Sequence, residues 1–160
     1  MARGGAALVV AASIAIAACG GGSSERSADL VRDVRGFSNG LRWRDFPTAA
    51  LRVSPARRSA FLDQREQLDD DLRIADWEMT RLEYDDRRHR AEVHVEYTWM
   101  LDSSGIVHKT VTRQSWSRHG DRWLIEREVR LRGDEMPGVA EPGRRGKDSR
   151  KQLNRGPEDK

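Results

Sequence analysis

A lone cysteine, Cys19, in 160 residues excludes an internal disulfide, so the fold must hold itself together by packing and hydrogen bonds. Long apolar runs are missing too. A helix needs about 20 apolar residues to cross a bilayer, and the stretch from Ala6 to Ala18 has 13 residues with Ser13 among them. Charge of one sign is scarce: 29 Lys and Arg face 26 Asp and Glu, a net +3, which argues against nucleic acid as a partner. No glycine-rich phosphate loop is present. His89, His94, His108 and His119 show no zinc-ligand spacing of the His-Glu-x-x-His type, and Asp69-Asp70-Asp71 lacks the alternating oxygens and turn glycine of a calcium loop. No metal and no cofactor is therefore expected.

What is present falls into three materials. Residues 1–18 combine Arg3, the apolar run and small residues ahead of Cys19, which is the layout of a secretion signal. Ile16-Ala17-Ala18-Cys19 resembles the lipobox of bacterial lipoproteins. That resemblance implies removal of residues 1–18 and acylation of Cys19 by a diacylglycerol thioether, with a further chain such as palmitate on its amino group. Two or three acyl chains anchor stably where one does not. Gly20 follows the cysteine in place of the Asp that resembles an inner-membrane retention signal, so the expected address is the outer membrane, facing the periplasm. Residues 19–26, rich in Gly and Ser, read as a flexible tether. At the other end, residues 133–160 contain four apolar residues in 28, with seven basic and six acidic ones, and read as a disordered mixed-charge tail.

Residues 27–132 hold every Trp, Tyr and Phe of the chain and read as the one folded domain. Leu30, Val31, Val34, Phe37 and Leu41 recur at helical spacing behind an N-cap at Ser27, with Gly36 and Gly40 as points where the helix should kink or end. Asp45 and Pro47 start a second short helix, and Ser54-Pro55 starts a third that ends near Asp69. The period then switches to two. Residues 72–84, 90–101, 106–117 and 122–131 are four strands separated by turn-forming segments, with Ala91, Val93, Val95, Tyr97, Trp99 and Leu101 on one face of the second. The expected class is α+β, with N-terminal helices packed on a curved antiparallel four-stranded sheet.

The pattern Leu41-Arg42-Trp43-Arg44-Asp45-Phe46-Pro47-Thr48-Ala49-Ala50, then Ser54-Pro55 and a meander ending in His119-Gly120-Asp121-Arg122-Trp123, resembles the NTF2-like domains. That superfamily includes ketosteroid isomerase, SnoaL-type cyclases and many non-catalytic lipoproteins. The resemblance implies a cone with a pocket between sheet and helices. Fold membership carries no function by itself.

Register decides which side chains would face such a pocket. With two-residue loops in both later hairpins, Tyr97 aligns with Thr110 and Val129, Trp99 with His108 and Leu131, Val93 with Gln114 and Ile125, and Trp116 with Trp123. With bulges at Gly105 and Gly120, the third strand flips. Tyr97, Trp99, Trp123 and Arg127 share a face in both cases, and His108 and Gln114 join them in the first. These six are the candidate pocket residues, with no catalytic residue among them. An isomerase or cyclase would instead need a carboxylate base near Tyr97, for which Asp76 and Glu78 are the candidates. The function these features favour is a lipid-anchored envelope module that binds a small apolar ligand or an envelope protein. A pocket enzyme, or a structural protein forming a homodimer through its sheet, are the alternatives.

Overall fold

The computed structural model describes residues 21–85 and 87–143. Three helices, α1 (Gly21–Arg42), α2 (Phe46–Ala50) and α3 (Pro55–Leu68), precede four strands, β1 (Leu72–Asp85), β2 (Arg90–Leu101), β3 (Val107–His119) and β4 (Arg122–Gly133). The strands form one antiparallel sheet in the order β1-β2-β3-β4, and the helices pack against it, so the class is α+β.

One helix start follows from cap chemistry and another from proline alone, since Ser54 makes no side-chain cap hydrogen bond. The Asp45 side chain accepts the Thr48 N–H at 3.1 Å at the head of α2, and Pro47 and Pro55 occupy first turns where no N–H is needed. The long helix departs from expectation at both of its features. It is already helical at Gly21, the first described residue, so residues 21–26 are helical where a tether was expected. It also runs unbroken through Gly36 and Gly40. Those glycines serve close packing: a Cβ on Gly40 would lie 2.8 Å from the Cβ of Ala49, so α2 crosses α1 where only a bare backbone fits.

The helix stripe Leu30, Val34, Phe37 and Leu41 meets Val93, Val95, Tyr97 and Trp99 of β2, with Trp116, Trp123 and Ile125 alongside, in one buried core. Phe37 packs edge-on against Trp116 with ring centroids 6.0 Å apart. Of the five tryptophans, Trp99, Trp116 and Trp123 are buried, Trp77 is half-buried, and Trp43 is exposed beneath the Arg42 guanidinium.

β2 and β3 pair as the two-residue-loop register has it, Tyr97 opposite Thr110, Trp99 opposite His108 and Val93 opposite Gln114. β3 and β4 do not. They start from a tight turn at Gly120-Asp121, but the register shifts between Ser115 and Trp116 and again between Val111 and Thr112, so that Trp116 faces Ile125 while Gln114 faces Glu128. The first shift inserts Glu126 as an extra residue in β4 and changes the face of the side chains from Arg127 to Arg130, and the second, at Leu131, changes it back.

The domain does not end at residue 132. Residues 134–141 double back as a strap along the edge of β4: Ala140 bridges to Val129, the Arg130 N–H reaches the Ala140 carbonyl at 2.8 Å, and Arg130 grips the Glu141 carboxylate through two nitrogens. Met136 is 4% exposed within the core. Low apolar content in the tail as a whole hid one well-placed methionine in its first turn. Residues 144–160, the rest of the expected tail, lie outside the described residues.

Candidate functional site

α3 and β4 leave between them a cavity of about 300 Å³, roofed on one side by Gly138, Val139 and Ala140 of the strap. Phe37, Val53, Phe61 and Ile125 give it an apolar floor, and Arg57, Gln64, Arg65, Arg127 and Glu128 bring polar groups to its walls. Two hollows of similar size lie elsewhere, one beside Tyr84 and Trp116 and one beside Arg52 and Trp123. The α3–β4 cavity differs from both in adjoining a buried polar network through Glu128.

Gln114 is the hub of that network. Its Nε2 donates to the Tyr97 hydroxyl at 3.0 Å and to Glu128 Oε1 at 2.9 Å, and its Oε1 accepts the Trp116 Nε1–H at 3.1 Å. Thr112 Oγ1 donates to the same Glu128 oxygen at 2.8 Å. Gln114, Tyr97 and Thr112 are all fully buried, where each polar atom needs a partner. Burial, with the negative charge of Glu128 behind it, holds the Tyr97 hydroxyl well above its ordinary pKa, so it stays protonated. Ser38 adjoins the same hydroxyl.

Arg65 approaches from α3. It is 3% exposed, its guanidinium sits over the Phe61 ring at 5.4 Å, and burial pushes its pKa down against the opposing charge of Glu128. Its Nη2 donates to the Gly138 carbonyl at 3.4 Å, and its Nε has no partner among the described residues. Glu126 is engaged elsewhere: it accepts from Ser117 Oγ at 2.6 Å and lies 3.4 Å from His119 Nε2. Burial would raise its pKa, but hydrogen bonds from Ser117, Ser54 and His119 outweigh that and bring it below the ordinary value.

The structure brings two of the six candidate pocket residues, Tyr97 and Gln114, into this network. Trp99 and His108 stack on each other 4.5 Å apart at the start of the strap, where His108 Nδ1 meets Asp134 at 3.1 Å and Trp99 donates to Thr110. Trp123 is fully buried on the far side against Tyr84, its backbone N–H held by Asp33. Arg127 does not join them. The Glu126 bulge places it opposite Ser115, exposed at the cavity rim, and turns Glu128 inward instead. Asp76 and Glu78 are exposed, Asp76 in an ion pair with Arg42. Cys19 lies outside the described residues.

Sequence reasoning missed Arg65 and Glu128. Arg65 carried a signal, being four residues after Phe61 and three before Leu68 on the apolar stripe of α3. Glu128 carried an indirect one: three consecutive apolar residues, Trp123-Leu124-Ile125, break the alternation just before the bulge. One spacing misleads. Gly36-Phe37-Ser38-Asn39-Gly40 matches the Gly-x-Ser-x-Gly pattern, yet a nucleophile elbow needs a strand-to-helix turn, and this segment lies inside α1 with Ser38 fully buried. No group of three or more metal-ligating side chains occurs among the described residues.

No protein-family model and no curated protein matches the chain. Among solved structures, it is similar to a SEC-C motif containing protein from Rhodopseudomonas palustris, with a TM-score of 0.55 at 14% identity over 62% of this chain and 77% of that one. A second similar structure is an LEH-like epoxide hydrolase of M. tuberculosis, with a TM-score of 0.49 at 14% identity over 68% of this chain and 84% of that one. At such identities the first likeness is one of fold: helices packed on a curved antiparallel sheet.

Proposed function

We propose that this chain is a lipid-anchored envelope protein whose NTF2-like domain binds a small, largely apolar ligand in the α3–β4 cavity and does no chemistry on it. The observation that carries the binding reading is the cavity itself, an opening of about 300 Å³ with an apolar floor and a few convergent polar groups, which is the form small-molecule sites take. Glu128 is already engaged by Thr112 and Gln114, so its carboxylate serves the polar network of the sheet before any ligand arrives.

1-Octanol is a suitable probe. Titrated into the isotopically labelled full chain, it is expected to shift the amide signals of Phe37, Phe61, Ile125 and Val139 together, at concentrations that leave Ile106 and Trp43 unmoved. Shifts confined to the exposed apolar residues, or none, defeat the binding reading. The anchor is tested separately: Cys19→Ser is expected to move the protein from the membrane fraction to the soluble periplasmic fraction, and retention in the membrane rules out lipidation as the tether. Because residues 21–26 are helical, a domain anchored through Cys19 would sit closer to the bilayer than the expected loose tether would leave it.

A second reading has one specific observation in its favour. The Glu128 carboxylate is joined to Tyr97 through a single glutamine, which is the pairing of base and hydroxyl that an isomerase or cyclase needs.

A further inference from the structure

We infer that the α3–β4 cavity takes an aliphatic monocarboxylate, with its carboxylate head at the Arg65 guanidinium. The inference rests on the cavity being a ligand site and names the class of ligand.

A guanidinium is always charged and offers five donors. Buried charges in proteins are ordinarily paired, because an unpaired one forfeits its hydration without return. Arg65 is the exception among the described residues that line this cavity. It is 3% exposed, no carboxylate lies within ion-pair distance of it, its Nε is without a partner, and its one acceptor is the neutral Gly138 carbonyl at 3.4 Å, the far limit of a hydrogen bond.

The neighbouring acids do not pair with it: Glu128 opposes its charge without coming within ion-pair distance among the described residues. Both donors to Glu128 converge on Oε1 from the sheet side, and Glu126 is drawn away to Ser117 and His119. Arg57, also on the wall, spends one nitrogen on the Glu126 carbonyl and keeps its remaining donors. An anion entering here finds a buried cation with unused donors and a second cation about two helical turns away along α3. Phe37, Phe61 and Val139 line the rest of the space and suit a hydrocarbon chain. A carboxylate would replace the long Gly138 contact with charge-assisted hydrogen bonds, which are about twice as strong as neutral ones.

The test compares sodium octanoate with 1-octanol on the full chain by calorimetry at neutral pH, and on Arg65→Met. Octanoate is expected to bind at least about tenfold tighter than 1-octanol to the native chain, with the preference abolished in Arg65→Met while 1-octanol affinity is kept. Equal binding of the two to the native chain overturns the carboxylate inference and leaves the apolar cavity reading standing. Binding of neither overturns both. An octanoate preference that survives in Arg65→Met refutes the assignment to Arg65. Should Arg65→Met fail to fold, the native Arg65 Nε–H signal decides: it must move with octanoate and stay with 1-octanol, and the converse sinks the inference.

Discussion

Gln114→Leu should lower stability by about 2–5 kcal/mol, a large share of the roughly 5–15 kcal/mol that holds a domain of this size together. The substitution nearly conserves volume, so no cavity opens. What it does is strip the hub from a fully buried network. Trp116 Nε1–H loses its acceptor, and the Tyr97 hydroxyl and Glu128 each lose the donor that Nε2 supplied. Glu128 keeps Thr112, so the cost falls mainly on Trp116 and Tyr97, at about 1–3 kcal/mol for each buried orphan. Urea unfolding followed by tryptophan fluorescence measures it, as a lower midpoint at unchanged slope. A loss under about 0.5 kcal/mol, the range of an ordinary surface change, means the network does not exist as described.

Gln114→Glu sharpens the same test. It sets a second buried carboxyl beside Glu128, and burial and like charge both raise its folded pKa above the unfolded value near 4.3. A group whose folded pKa is raised gives full stability below the unfolded pKa and loses it as pH rises. Gln114→Glu is therefore expected to unfold more readily at pH 7 than at pH 4.5, relative to the native chain at each pH. The opposite order would place Gln114 outside the reach of Glu128.

The same network shows what the sequence could and could not say. Period-three-and-four stripes placed Leu30, Val34, Phe37 and Leu41 on one helix face, and strict alternation placed Val93, Val95, Tyr97 and Trp99 on one strand face, because a helix or strand half-buried against one core needs no other information. The partner strand was legible only to a choice of two registers, and β2 and β3 take the one without a bulge. β4 was not. One extra residue at Glu126 reverses the alternation, exchanging Arg127 for Glu128 on the inner face, and the run Trp123-Leu124-Ile125 marks the break without fixing which residue bulges. The site inherits that uncertainty, because its carboxylate lies beyond the bulge and its buried cation comes from a different element. A pocket assembled from one helix, one bulged strand and a strap is written in long-range contacts, which alternation along a single strand does not record.

Truncation at the end of β4 should have the other large effect. A chain stopped after Gly133 loses Met136 from the core, the Arg130-to-Ala140 backbone bond, the Arg130–Glu141 ion pair and the Thr110 hydroxyl's bond to the Asp134 carbonyl. Emptying a buried methionine site alone costs about 2–5 kcal/mol, and the loss of the strap is expected to fall at or above the middle of that range. A chain stopped after Gly143 removes 17 residues with one apolar member, Leu153, and is expected to stay within about 0.5 kcal/mol of the full chain. Met136→Ala and Gly138→Val divide the larger loss. The first removes the anchor and keeps the backbone path. The second keeps the anchor but asks a β-branched residue to adopt a φ of 81° and to place its Cβ 2.8 Å from Leu68 Cδ1 and 3.0 Å from Arg65 Nη1. Thermal and urea midpoints of the four chains order them: Gly143 stop near the full chain, then the two point variants, then Gly133 stop lowest. If the two truncated chains unfold together, the strap contributes nothing and the domain ends with β4. If only Gly133 stop and Gly138→Val also lose the cavity-centred response to 1-octanol, the strap is a wall of the site as well as a clasp on the core, since Gly138 lines the cavity and its carbonyl accepts from the buried arginine.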